Sequence, residues 1–232
     1  KWRPAQARPC LRTASWDFAA ARWRQAVEPA MAELRTVRKT LYLVRHGEAL
    51  HNIAEEQAKR AALDKARALG HADGSPHSRA AAEAARVEVL RSEHLRDPAL
   101  SEMGQQRTLV TKAELDSVAA SPPHGVAPGP ELVLVSPLER TLQTAALLFP
   151  EHPRVLVTEE LRERRTGRPC DDFKAAEALA ELAQRPEFCN MDFGDLTSVD
   201  SEDSYVHEDA DRLRCRTARL TQALRFLEEE VL

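Results

Sequence analysis

The sequence predicts an α/β fold, three-layered, with a mostly parallel sheet flanked by helices. Three short apolar runs at residues 41–44, 131–135 and 154–158 are bounded by turn or charge signals, as strands buried on both faces are. Helix-forming stretches separate them, and in such folds ligands sit at the carboxyl ends of the strands. At 232 residues, with 43% hydrophobic and 30% charged side chains, the chain can bury one sizeable core and has length to spare for an extension or insertion. No apolar stretch approaches the ~20 residues that a membrane helix requires.

Residues 1–38 read as a basic N-terminal extension. Residues 1–40 hold nine Lys or Arg against Asp17, Glu28 and Glu33, so the remainder must be acidic to bring the net charge to −4. Arg-rich, acid-poor composition is that of organelle targeting segments, whereas Trp2, Trp16, Phe18 and Trp23 suit a helix that packs on the domain or meets another protein. No basic stripe continues into the rest of the chain, which disfavours nucleic acid as a partner. Cys10, Cys170, Cys189 and Cys215 form no C-x-x-C pair and no secretory segment is visible, so reduced thiols in a cytosol or an organelle interior are expected.

Residues 39–232 read as one domain with an Ala-rich helical insertion at about 53–96. Two solvated helices, 55–69 and 79–95, flank a break at residues 70–76. His71, His77 and His94 lie in this region without metal-ligand spacing and read as surface residues; no metal or cofactor is implied. A third helix is expected from Glu102 to Val118, then a proline-rich loop over residues 121–130. Ser136 as N-cap, Pro137 at the first helical position and Glu139 closing a capping box predict a helix to Phe149. A last helical run covers residues 212–230.

The chemistry concentrates at the end of the first apolar run, which proceeds Leu43-Val44-Arg45-His46-Gly47-Glu48 and on through His51 to Asn52. A neutral His46 ring is a nucleophile near neutral pH, and the planar fork of Arg45 matches two phosphate oxygens. Gly47 would let the backbone approach a bound anion. A helix beginning at the second strand tip would aim unpaired N–H groups and Arg140 at the same edge.

Arg45-His46-Gly47-Glu48 with Asn52, and Ser136-Pro137-Leu138-Glu139-Arg140-Thr141, resemble the two arginine motifs of the histidine phosphatase superfamily, the phosphoglycerate-mutase-like enzymes. Asp97 to Gln106 is similar to that family's linking motif and reads as structural. Glu159-Glu160-Leu161-Arg162-Glu163-Arg164 resembles the segment carrying the general acid, with Glu163 at the matching position. Arg164 to Asp171 and Asn190 to Phe193 look like a plant, algal and fungal branch associated with phosphatase-like activity.

The resemblance implies hydrolysis of a small-molecule phosphate ester through phosphohistidine. His46 and Glu163 would be catalytic, Arg45, Asn52 and Arg140 phosphate-binding, with no metal, cofactor or membrane required. Glu163 lies among arginines that favour its ionised form, so acting as an acid requires burial or a nearby phosphate. Phosphoglycerate-mutase-type transfer is the alternative activity. The family's second histidine, in a Ser-His-Gly-like turn, has no counterpart here, and His207 sits in an acidic stretch that does not match it. The start at Lys1 and the stop at Val231-Leu232 lead to the expectation of a fragment truncated before the last core strands, for which non-catalytic phospho-ligand binding is a further reading.

Overall fold

The computed structural model describes residues 40–119, 129–172, 176–197 and 207–226. Residues 39–221 belong to one compact unit; residues 222–226, the end of one helix, are what is described of a second. The basic extension, most of the proline-rich loop and the expected helix beyond Phe226 therefore lie outside the described residues.

The larger unit opens with α1 (Leu50–Ala68), α2 (Pro76–Val89) and α3 (Glu102–Ala119). There follow β1 (Val133–Val135), α4 (Glu139–Leu148), β2 (Val155–Val157), α5 (Ala176–Ala183) and β3 (Met191–Asp192), and α6 (Ala210–Phe226) comes last. The fold is α/β, with a three-stranded parallel sheet in the order β1-β2-β3. Val133 pairs with Val155 and Val155 with Met191, so side chains of one parity line up across the sheet. Val133, Val135, Val155, Val157 and Met191 are buried with Leu142 and Ala145 of α4, Leu179 and Leu182 of α5, and Phe188 and Phe193. Leu134 and Leu156, on the other face, are half-buried. No helix among the described residues is long and apolar enough to cross a membrane.

The second and third expected strands form, each shorter than predicted, but the first does not. Leu41-Tyr42-Leu43-Val44 makes no ladder among the described residues, and Leu43 is 95% exposed. Apolar and aromatic composition suits a pleated, half-buried surface but cannot make a strand without a neighbouring backbone to pair with. His46 therefore sits on a loop entering α1 rather than at a strand tip. In place of that strand the sheet is completed by β3, which was not expected from the sequence, and α5 likewise emerged only with the structure.

The Ala-rich region folds as the hairpin of α1 and α2. Ser75 caps α2 by accepting from the N–H of Ser78 at 3.2 Å, with Pro76 at the first helical position. Arg86 of α2 reaches Glu55 of α1 at 2.8 Å. His77 and His94 are exposed as expected, and His71 stacks on His77 with ring centroids 4.8 Å apart.

The start of α4 departs from the local signal. The helix begins at Glu139, the capping residue Leu138 offers no side-chain bond, and Ser136 Oγ reaches only the Leu138 N–H at 3.5 Å. The cap comes from far away: Asp97 Oδ1 accepts from the Glu139 N–H at 2.8 Å. A carboxylate at a helix N-terminus makes a charge-assisted bond that a hydroxyl does not match. Asp97 is 1% exposed, holds a left-handed backbone at φ 40°, and its own N–H donates to the Pro169 carbonyl at 3.2 Å. The N–H expected to face an anion is thus already occupied.

Candidate functional site

His46 is fixed by contacts of the three residues that follow it, Gly47, Glu48 and Ala49. The Gly47 N–H donates to Thr144 Oγ1 at 3.1 Å, and that hydroxyl donates to the Arg140 carbonyl at 2.7 Å, joining the loop to the first turn of α4. Glu48 follows: its carbonyl accepts from Ser101 N–H at 2.8 Å and its carboxylate accepts from Ser101 Oγ at 2.9 Å. Ala49 then bridges antiparallel to Leu100. Residues 99–104 are therefore the seat of this loop.

Gly47 is required for a different reason from the one expected. Its φ is not positive, and a Cβ there would stand 2.7 Å from Thr108 Oγ1 and 3.1 Å from the Gly104 carbonyl of α3. The close approach is to a helix rather than to a ligand.

The His46 ring is half-buried, and Nδ1 lies 2.6 Å from the Gly47 carbonyl, which only accepts. The proton is therefore assigned to Nδ1, leaving the Nε2 lone pair free. Burial lowers the His46 pKa from its ordinary value, the Gly47 carbonyl opposes this, the charges of Arg140 and Arg45 lower it further, and Glu163 raises it. The outcome is a neutral imidazole at neutral pH with both arginines and Glu163 in electrostatic reach.

A cleft of about 320 Å³ opens here, lined by Arg45, His46, Gly47, Glu48 and Asn52. Arg45 is exposed and available to an anion. Asn52 lines the cleft, yet its amide is engaged with the chain: Oδ1 accepts from the Ala49 N–H at 2.9 Å and Nδ2 donates to His51 Nε2 at 3.1 Å. Arg140 is 2% exposed and does not line the cleft; its Nη1 donates to the Cys170 carbonyl at 2.7 Å. Cys170 itself is a buried free thiol whose pKa burial pushes up to about 12.

Glu163 is exposed, so the burial that would favour its acid form is absent; the Arg164 N–H donates to its Oε1 at 3.1 Å. Its segment is pinned from α6. Arg216 holds the Glu208 carboxylate through Nε at 2.8 Å and Nη2 at 2.7 Å, and its Nη1 donates to the carbonyls of Glu160 and Arg162 at 2.9 and 2.8 Å. His207 beside this pair is exposed. Among the described residues no group of three or more His, Cys, Asp or Glu side chains is placed to hold a metal ion.

Sequence reading overlooked His51, one residue before Asn52. It is 8% exposed, with its ring centroid 6.1 Å from that of His46. Its pKa is lowered to about 4, by burial first and then by the charges of Arg140, His46 and Arg45, with Glu55 opposing. In the unfolded chain the same ring titrates near its ordinary value of about 6.5. Between these limits the unfolded state binds a proton that the folded state refuses, so stability falls as pH drops through this window and is level above it. The fall from His51 should reach up to about 3 kcal/mol. Urea midpoints at neutral and at acid pH check this: the wild-type chain should lose more stability than His51→Gln over the window, and equal losses would remove His51 from the account.

No family model matches the chain, and neither do any curated protein or solved structure.

Proposed function

We propose that the chain hydrolyses a small-molecule phosphate ester through a phosphohistidine on His46, as a metal-independent member of the histidine phosphatase superfamily with a phosphoglycerate-mutase-like fold. The observation that carries this reading is the His46 ring: neutral, bonded through Nδ1 to the Gly47 carbonyl, and lining a cleft with Arg45 while the charges of Arg140 and Glu163 act on it. In this mechanism the Nε2 lone pair attacks phosphorus in line, an N–P bond forms and the ester P–O bond breaks. Glu163, protonated in this reading by the negative charge of the bound phosphate and not by burial, gives its proton to the leaving oxygen, while Arg45 spreads charge from the oxygens and Arg140 adds its field. Water then attacks phosphorus, Glu163 takes its proton, and orthophosphate leaves His46 free. A cytoplasmic or organellar setting suits such a substrate.

A second reading, binding of a phospho-ligand without turnover, is favoured by two observations. Glu163 is exposed, and Arg140 is tied to the Cys170 carbonyl. Labelling separates the two readings. Incubation with a small phosphodonor such as acetyl phosphate should place acid-labile, alkali-stable phosphate on the chain, and His46→Ala should abolish it. Undiminished labelling of that variant would refute the assignment of the nucleophile, and phosphate binding without any labelling of the wild-type chain would select the binding reading.

A further inference from the structure

Two buried N–H groups near His46 have no hydrogen-bond acceptor among the described residues: Arg140 Nε and a ring nitrogen of His51. An orphaned buried donor costs roughly 1–3 kcal/mol, and two in one neighbourhood mark a place shaped for an acceptor.

The tautomer of His51 follows from its neighbour. Asn52 Oδ1 accepts from the Ala49 N–H, which fixes the amide so that Nδ2 faces His51 Nε2 at 3.1 Å. An NH₂ group only donates, so Nε2 is assigned as the acceptor and Nδ1 carries the hydrogen. Nδ1 is the atom without a partner. His51 is one hydrogen bond from the cleft wall formed by Asn52, and the two rings stand 6.1 Å apart with planes inclined at 52°. That separation is of the order spanned by a phosphoryl group on one ring nitrogen whose non-bridging oxygen accepts a hydrogen bond of about 2.8 Å from a nitrogen of the other ring.

We propose that His51 is a phosphate-binding residue, whose Nδ1–H donates to a non-bridging oxygen of the phosphoryl group on His46, beside Arg140 Nε. Both imidazoles of the site then come from one short stretch of chain, residues 46–51, and His51 contributes a neutral donor with no added charge. This rests on the phosphate-binding reading of His46.

The test is binding of inorganic phosphate to the full chain, by calorimetry, for wild type, His51→Asn, His51→Gln and His51→Phe. Asparagine places an amide N–H near the position of Nδ1, whereas glutamine places its own near Nε2 and phenylalanine has none. His51→Asn should stay within about threefold of wild type while His51→Gln and His51→Phe weaken binding about tenfold or more. The pyrrole-type ¹⁵N signal of His51 should also shift when phosphate is added. Should His51→Phe fail to fold, the two amide variants decide the matter between them. Equal affinities of His51→Asn and His51→Gln, both near wild type, would overturn the role of His51 and leave that of His46 standing. A wild-type chain that binds no phosphate would overturn both.

Discussion

Arg216→Ala should destabilise the larger unit by about 3–5 kcal/mol, because it removes one partner from a buried ion pair. Glu208 is 4% exposed and Arg216 is 5% exposed, and their two bonds are short and parallel. Without the guanidinium, Arg162 stands 3.9 Å from the Glu208 carboxylate, beyond hydrogen-bond reach. The carbonyls of Glu160 and Arg162 lose donors as well. Lysine should recover only part of the loss, since an ammonium cannot make the paired bonds. Urea unfolding measures both variants, and a loss of under about 1 kcal/mol in Arg216→Ala would show that the pair is worth no more than an exposed one. The damage should also spread to residues 159–165, whose backbone this arginine holds, and so to Glu163.

Gly104→Ala is the second large effect, and its sign runs against helix propensity. Within a helix, alanine normally gains about 1 kcal/mol over glycine. At Gly104 a Cβ would lie 2.0 Å from the Glu48 carbonyl oxygen and 2.9 Å from both its carbonyl carbon and its nitrogen. Backbone atoms have no rotamer to yield with, so α3 and the loop must separate. An overpacking cost of about 1–3 kcal/mol is typical and this contact is an extreme one, so the net result should be a loss of at least 2 kcal/mol. A thermal midpoint equal to or above that of wild type would mean that the loop shifts freely. If it shifts, the His46 ring moves with it, and phosphate affinity should fall in the same variant.

Local signals carried most of the helices. The Ala-rich hairpin, α3 and α6 were legible from propensity and caps, because those features act within a few residues of chain. The sheet was harder: residues 131–135 and 154–158 look like strands and contain them, whereas residues 41–44 look equally like one and lie exposed without a partner. Pairing is a property of two segments, and composition describes only one. Met191–Asp192, too short and too polar to stand out, is a strand because β2 lies beside it.

The site divides along the same line. Arg45, His46 and Asn52 were legible because they share one stretch that lines one cleft. The residues that hold this stretch were not: Thr144 is a helix residue among others until Gly47 donates to it, and Asp97 gives no hint that it will cap a helix 42 positions away. Arg140 reads as phosphate-binding from its motif, yet in the structure its Nη1 is spent on a carbonyl. His51 stood in plain view beside Asn52, and only its burial distinguishes it from a surface histidine.

That carbonyl belongs to Cys170, and its thiol can serve as a clock. With a pKa near 12 and almost no exposure, Cys170 presents no thiolate to a reagent while its loop is closed, whereas Cys189 and Cys215 stand open to one. Alkylation of Cys170 therefore waits on opening of the segment that Arg140 grips. When closing is faster than chemistry, the slow phase of labelling reports the opening equilibrium. A ligand drawing on the charge of Arg140 would change the rate of that phase from outside the cleft, so occupancy can be read by mass spectrometry at a sulfur that no substrate touches.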